Sequence, residues 1–128
     1  MSEPVAGLSP AAQAVLEEIN QALTNFIQHR QDWTIFSDKM ALSIEDRQMI
    51  RDFLGQGSVR IDLKDTAEPA EWMESGTSGV WFGVFYDQNH KPVLETIEIC
   101  AFPQVAGAQM EDIQQDQKAL AERLSGQF

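Results

Sequence analysis

The sequence has few of the residues that nucleic-acid-binding, disulfide-rich or membrane-spanning proteins need. It carries 9 Lys and Arg against 20 Asp and Glu, and the net charge of −11 speaks against binding to a phosphate backbone. A single cysteine, Cys100, cannot form an intrachain disulfide, and two histidines cannot complete a structural zinc site with it. No Lys or Arg precedes Arg30, and the longest apolar stretch, Gly79 to Tyr86, is far too short to cross a membrane. We therefore expect a soluble, cytoplasmic protein with no nucleic-acid partner and no membrane insertion.

The length and the hydrophobic content are those of one ordinary domain. With 128 residues, 43% of them hydrophobic, the chain can bury a core of normal size. No repeat, low-complexity tract or linker divides it. We predict a single domain over residues 1–128, ordered from about residue 9 to 124.

Helical periodicity marks three segments. Ser9 before Pro10 is a favourable helix start, and Ser43 with Asp46 three residues later resembles a capping box. The pattern predicts helices from Pro10 to about Gln28, from Ile44 to Leu54 and from about Ala108 to Leu124.

Between and after the first two helices the apolar pattern is that of strands. The run at 80–86 is apolar on both faces, which indicates a central strand. The predicted fold class is α+β, with a mainly antiparallel sheet of four to five strands in the order helix-strand-helix-strand-strand-strand-strand-helix and the helices packed on the sheet. The strand segments are Trp33 to Phe36, an alternating stretch from Val59 to Lys64, Ala70 to Ser75, Val80 to Tyr86, and Val93 to Cys100.

Two of the predicted helices have apolar faces that should be buried. The inner face of the second helix is expected to comprise Ile44, Met49, Ile50, Phe53 and Leu54. The last helix has a narrow heptad-like seam of Met110, Ile113, Gln117, Leu120 and Leu124. Packing of this seam on the domain's own sheet is the favoured interpretation, and a partner helix or self-association as a homodimer is the alternative.

No motif in the sequence demands catalysis, a cofactor or a metal. The Gly55-Gln56-Gly57 stretch lies between a helix and a strand, the reverse of the order in a phosphate loop. A calcium-loop pattern beginning at Asp87 fails because Lys91 and Pro92 occupy positions that need a ligand and a glycine. We expect no cofactor and no bound metal, and Cys100 is interpreted as a packing thiol.

One enzymatic alternative stays open at this point. The carboxylates Glu74, Glu95 and Glu98 fall in predicted strands, and a small ligand-binding domain or enzyme could use them in a pocket lined by Trp81. Glu95 and Glu98 are three residues apart, so in a strand they point to opposite faces. A deep pocket with converging carboxylates would favour this alternative, and a broad apolar patch would favour a protein-binding domain.

Several short motifs occur in an order that resembles a known family. They are Leu54-Gly55-Gln56-Gly57-Ser58-Val59, then Glu74 leading into Gly79-Val80-Trp81-Phe82, then Glu95-Thr96-Ile97-Glu98-Ile99 and Phe102-Pro103. Their order and spacing resemble the C-terminal conserved domain of the HupH/HyaF-type hydrogenase expression and formation proteins, over residues 16–105. The chain departs from the family pattern at Gln56, Thr77 and Ser78.

The resemblance implies a function that the composition alone does not. It implies a non-catalytic accessory or chaperone-like role in assembling nickel-iron uptake hydrogenases, with a hydrogenase subunit or another maturation protein as partner. Excess negative charge would steer a basic partner surface. We predict a partner-binding surface on the strands around Glu74 to Tyr86 and the acidic margin before them. Its candidate residues are Glu68, Glu71, Trp72, Glu74, Trp81, Phe82 and Tyr86.

Overall fold

The computed structural model describes residues 3–126 and has an α+β fold, a five-stranded antiparallel sheet with three α-helices. The helices are α1 (Pro10–His29), α2 (Ile44–Leu54) and α3 (Met110–Leu124). The strands are β1 (Trp33–Phe36), β2 (Gln56–Leu63), β3 (Ala70–Ser75), β4 (Val80–Tyr86) and β5 (Pro92–Ile99). The predicted fold class and order of elements are confirmed. No described helix combines the length and the apolar character needed to cross a bilayer.

The sheet is an antiparallel meander of β2 to β5, and β1 forms the edge strand beside β5. The strand order is β1-β5-β4-β3-β2, so β2 to β5 pair with their neighbours in sequence and β1 adds to β5. Its central strand is β4, as the two-sided apolar pattern predicted. The loops at 64–69 and 87–91 therefore lie at the same end of the sheet, where Tyr86 N–H donates to the Pro69 carbonyl at 2.9 Å.

Side-chain caps begin the first two helices and also join them. Ser9 caps α1 by accepting from the Ala12 N–H, and Ser43 and Asp46 form the capping box of α2 in both directions. The Ser9 hydroxyl also donates to Asp46 at 2.6 Å. This bond, followed by that from the Ser43 N–H, lowers the pKa of Asp46. One carboxylate thus fixes the start of α2 against the start of α1.

One face of the sheet is covered by α1 and α2. The two helices pack on β4, β5 and β1, and Met40, Leu42 and Phe82 extend the cluster at its margin. The buried residues of this core are Ala12, Val15, Ile19, Ala22, Ile35, Ile50, Leu54, Val80, Ile97 and Ile99.

The opposite face is covered by the segment that follows β5, which includes a short 3₁₀ helix at Gln104–Ala106. After β5 the segment at 100–107 folds back, so that Pro103 is buried and the Phe102 ring meets Trp81 edge-on, with centroids 6.3 Å apart. Ala106 packs against the same buried cluster, which contains Trp72. None of the three described helices contributes to the second core, and this segment completes it instead.

The predicted inner face of α2 is partly wrong. Ile50 and Leu54 are buried, but Ile44 is 83% exposed and Phe53 is 59% exposed. Because an α-helix turns by roughly 100° per residue, Ile44 and Phe53 point away from the side of the helix that carries Ile50 and Leu54. The prediction from apolar spacing alone therefore included residues that are not buried.

The expectation that the seam of α3 packs on the domain's own sheet is also wrong. Every residue of α3 is exposed, and none of its apolar side chains belongs to either core. The segment at 100–107 already occupies the sheet face that this helix was expected to cover. The predicted start at Ala108 was two residues early.

Candidate partner-binding surface

The seven predicted partner-binding residues do not share one surface. Alternation along β3 and β4 puts Trp72, Glu74 and Trp81 on the face opposite the helices, and Glu71 and Phe82 on the helix side. Trp72 is 1% exposed and Trp81 is 3% exposed. Neither tryptophan can reach a partner of the folded domain, so both are corrected from candidate docking residues to core residues.

Trp72 is held in the core by a polar contact. Its Nε1–H donates to Glu98 Oε2 at 2.9 Å, and the hydroxyl of Thr96 donates to the same oxygen at 2.7 Å. Gly83 lies between them, where a Cβ would come within 2.4 Å of Thr96 Oγ1. Glu98 thus satisfies the polar atoms of a packed interior, and glycine is needed beside it.

The three carboxylates of the enzymatic alternative point to separate partners. Glu95 lies on the helix side and pairs with Arg47 at 2.7 Å, whereas Glu98 lies on the other face. Glu74 accepts from the Gly79 N–H at 3.3 Å. The structure does not bring them into one pocket, and within residues 3–126 no cluster of His, Cys, Asp and Glu has the geometry to hold a metal ion.

Glu71 and Tyr86 meet in a charged network on the helix side of β2, β3 and β4. Asp62 and Glu71 lie directly opposite each other, an arrangement that repels, and Arg60 contacts both, at 3.3 and 2.6 Å. The Tyr86 hydroxyl donates to the other oxygen of Glu71. This hydrogen bond is the largest cause that raises the pKa of Tyr86, and burial adds to it.

Two clefts flank Tyr86 at the end of the sheet that carries the 64–69 and 87–91 loops. One cleft, of about 360 Å³, is lined by Glu71 and His90, and the other, of about 370 Å³, by Glu68 and the exposed Val93. We call this region the acidic end. It comprises Asp62, Asp65, Glu68, Glu71, Tyr86, His90 and Val93.

A groove runs beside the acidic end, between α2 and the outer strands. The Arg51 guanidinium lies over the Phe82 ring, 4.6 Å from its centroid. Phe82 and Met73 line two adjoining depressions there, of about 390 and 180 Å³. Of the predicted residues, Glu68, Glu71, Tyr86 and Phe82 therefore lie on accessible surface near one another.

Cys100 is a buried thiol, as its sequence context predicted. Burial is the main cause that raises its pKa to about 12, and the nearby Glu98 adds to the rise. A thiol with this pKa is protonated at neutral pH and is a weak nucleophile and a weak metal ligand.

Arg51, Arg60 and His90 make contacts at this surface that the sequence did not predict. Arg51 and Arg60 each contact a neighbour that is distant in sequence, Arg51 at Phe82 and Arg60 at Glu71 across the β2–β3 pair, whereas the His90 ring lies edge-on to the nearby Tyr86. The alternation of Arg60 with apolar residues showed that its side chain points away from the core. Its partner depends on the register between β2 and β3, which the sequence did not specify.

Comparison with known proteins decides the family. The model of the family described as HupH hydrogenase expression protein, C-terminal conserved region, matches residues 10–126. The chain belongs to this family. The match confirms the resemblance and extends it beyond 16–105 to include all of α1 and α3.

Curated relatives of this HupH-family chain carry related names. It is 31% identical over 83 residues to the hydrogenase expression/formation protein HoxQ of Azotobacter vinelandii, covering 65% of this chain and 29% of HoxQ. It is 27% identical over 113 residues to HupQ of Azotobacter chroococcum mcd 1, covering 87% and 39%. It is 27% identical over 106 residues to HupH of Rhizobium leguminosarum bv. viciae, covering 83% and 37%. The matched region thus spans less than two-fifths of each curated relative.

A solved structure shares the fold. The hydrogenase expression protein HupH from Thiobacillus denitrificans ATCC 25259 superposes with a TM-score of 0.83, covering 92% of this chain and 98% of that one at 23% sequence identity. This likeness shows the fold of the HupH-family chain.

Proposed function

We propose that this domain is a non-catalytic accessory protein of nickel-iron hydrogenase maturation, and that it acts by binding a hydrogenase subunit or another maturation protein. The single observation that carries the proposal is the family match over residues 10–126. The relatives are named for hydrogenase expression and formation, which is a task of assembly.

The chemistry of the described residues supports binding more than catalysis. The carboxylates of the enzymatic alternative are each engaged by a different partner, and the cysteine is buried. General acid–base chemistry needs groups that converge on one reacting atom, and these do not.

The acidic end is the surface we propose for the partner. It offers carboxylates at Glu68 and Glu71, a tyrosine between two clefts, and the exposed apolar side chain of Val93. Tyrosine and apolar side chains supply contact area, and surrounding carboxylates steer a basic partner. The whole chain carries a net charge of −11, which adds to this steering.

The test of the proposed function is loss of the gene in the native host. A deletion strain should show lower hydrogenase activity, or should accumulate immature hydrogenase subunit, while unrelated metalloenzymes keep their activity. Normal maturation in the deletion strain would refute the assembly role. Re-expression of the chain from a plasmid is the control that assigns the effect to this gene.

The test of the surface is charge reversal at Glu68. Glu68→Lys should slow association with the partner without unfolding the domain, because the side chain is exposed and makes no hydrogen bond to any other residue of the range 3–126. Glu71 is a poorer choice, since it is half-buried and binds Arg60 and Tyr86. Glu17→Lys makes the same charge change on exposed surface of α1 and is the matched control.

The dependence of the association rate on ionic strength distinguishes electrostatic steering from a general loss of structure. The difference between Glu68→Lys and Glu17→Lys should shrink when ionic strength rises from about 0.05 M to about 0.5 M, because exposed charges are then screened. Equal association rates for the two variants at low salt would place the partner elsewhere on the domain.

A further inference from the structure

The α3 helix leaves an apolar seam uncovered. It is a 15-residue helix in which every residue is exposed. Helices of this length are marginal in water, and most of their stability in proteins comes from packing of an apolar face. The exposed apolar side chains of the seam are Met110 (65%), Ile113 (47%), Leu120 (52%) and Leu124 (81%).

The accessible surface area of the chain is also larger than expected for a compact monomer of its mass. The chain exposes 9049 Å². A compact monomer of 14.4 kDa exposes about 6,800 Å² on the usual scaling of area with mass. The difference is about 2,200 Å², whereas a standard-size protein interface covers about 800 Å² on each partner. Part of the chain therefore projects from the compact core, and α3, which packs in neither buried cluster, belongs to that part.

We propose that α3 pairs antiparallel with α3 of a second copy of this chain, as a short two-stranded coiled coil. The seam has the heptad spacing of such a pair, with Met110, Gln117 and Leu124 at a positions and Ile113 and Leu120 at d positions. The inference goes beyond the proposed function and does not depend on it.

The charges beside the seam select the register and the orientation. Asp116 and Arg123 both occupy g positions, which face each other across an antiparallel pair. When Gln117 lies opposite Leu120 of the second copy, Asp116 lies opposite Arg123 of that copy, and symmetry repeats the ion pair.

Other arrangements lack this complementarity. If Gln117 lies opposite Ile113 of the second copy, the two Asp116 carboxylates face each other and repel. In a parallel pair, Asp116 lies opposite Ala121, which offers no charge. Charge complementarity therefore favours the antiparallel pair with Gln117 opposite Leu120.

The interface should be of modest strength. It has only two heptads and a polar residue at one a position, so we expect a dimer whose Kd lies in the micromolar range. Val105 is 62% exposed just before α3 and could add apolar area beside the seam. Sedimentation velocity of the full chain from about 1 to about 200 μM spans the range in which such a dimer forms.

A charge-swap series tests the register. Asp116→Arg and Arg123→Asp should each weaken the dimer about tenfold, because each places like charges opposite one another twice. The double variant should recover wild-type affinity, since the pair is restored with its signs exchanged. Glu122→Arg at the outer f position has the same charge change as Asp116→Arg and should leave the Kd unchanged.

Leu120→Asp tests the seam itself and should leave the chain monomeric at every concentration. All residues of α3 are exposed, so these variants should retain the unfolding midpoint of the β-sheet core, whereas the helical signal of α3 in the far-ultraviolet circular dichroism should fall wherever the dimer is lost. A wild-type chain that sediments at 14.4 kDa throughout would overturn the proposal. So would a dimer that survives Leu120→Asp, or a double charge variant no tighter than the single ones. If the wild-type chain is monomeric and Leu120→Asp no longer binds a hydrogenase subunit, the proposal of a dimer is wrong and the seam binds that subunit instead.

Discussion

Replacing Trp81 with alanine should strongly destabilise the domain. The side chain is 3% exposed, its Nε1–H donates to the Cys100 carbonyl at 3.1 Å, and its ring packs edge-on against Phe102. Truncation of a buried tryptophan costs about 3–5 kcal/mol in transfer and cavity terms. The carbonyl left without its donor costs about 1–3 kcal/mol more, unless water enters the cavity and replaces it.

These costs overlap, because a cavity that admits water satisfies the carbonyl. We expect a total loss of about 4 kcal/mol in the free energy of unfolding. With a urea m value of about 2 kcal/mol/M, the midpoint should fall by about 2 M. Urea titration followed by far-ultraviolet circular dichroism measures this shift.

Two further variants keep the experiment decisive if the alanine variant barely folds. Trp81→Phe retains most of the ring volume and loses the N–H donor, so it should cost about 1–3 kcal/mol. Trp33→Ala is the control: Trp33 is 45% exposed and its Nε1–H donates to Glu18 at the surface, so we expect a loss of about 1 kcal/mol. If Trp81→Ala lowered the midpoint no more than Trp33→Ala, Trp81 would be a surface residue and the account of the second core would be refuted.

Two smaller predictions test the polar contacts of the sheet. Glu71→Ala should lower the pKa of Tyr86, the one tyrosine of the chain, in an ultraviolet absorbance titration, because it removes the hydrogen-bond acceptor that is the main cause of the rise. In the wild type this raised pKa contributes stability below the ordinary value of 10.0, and that stability is lost as pH rises through the folded-state pKa; an unchanged titration would mean that the hydrogen bond does not form in solution. Gly83→Ala should cost about 1–3 kcal/mol in thermal unfolding, because the added methyl group would lie 2.4 Å from Thr96 Oγ1 and 2.9 Å from Glu98 Oε2. An unchanged melting temperature would show that Thr96 and Glu98 can move aside.

Local chemistry predicted most of the fold. Ser9 with Pro10 and the capping box at Ser43 and Asp46 set the starts of two helices, and the second helix ends before Gly55, whose φ of 82° suits glycine. These signals are short-range, so the sequence contains them in full.

The errors came from long-range packing. Nothing near Trp81 indicated that the segment at 100–107 would fold over it, and so the tryptophan was assigned to a docking surface. Once that segment covered the sheet face, no room was left there for α3. The acidic end was predicted in part, since Glu68, Glu71 and Tyr86 were named, but Arg60 depended on cross-strand register. Partners that meet only through the register of two strands cannot be read from one strand at a time.

Affinity purification of the tagged chain from its native host, grown under conditions that induce hydrogenase, tests the central claim most directly. The account predicts that a hydrogenase subunit or another maturation protein co-purifies with the wild-type chain and with Glu17→Lys, and that less is recovered with Glu68→Lys. Mass spectrometry of the eluates identifies and quantifies the partner. If neither a hydrogenase subunit nor a maturation protein is recovered above an untagged control, while the tagged chain is folded and abundant, the claim that this domain acts by binding the hydrogenase assembly apparatus is contradicted.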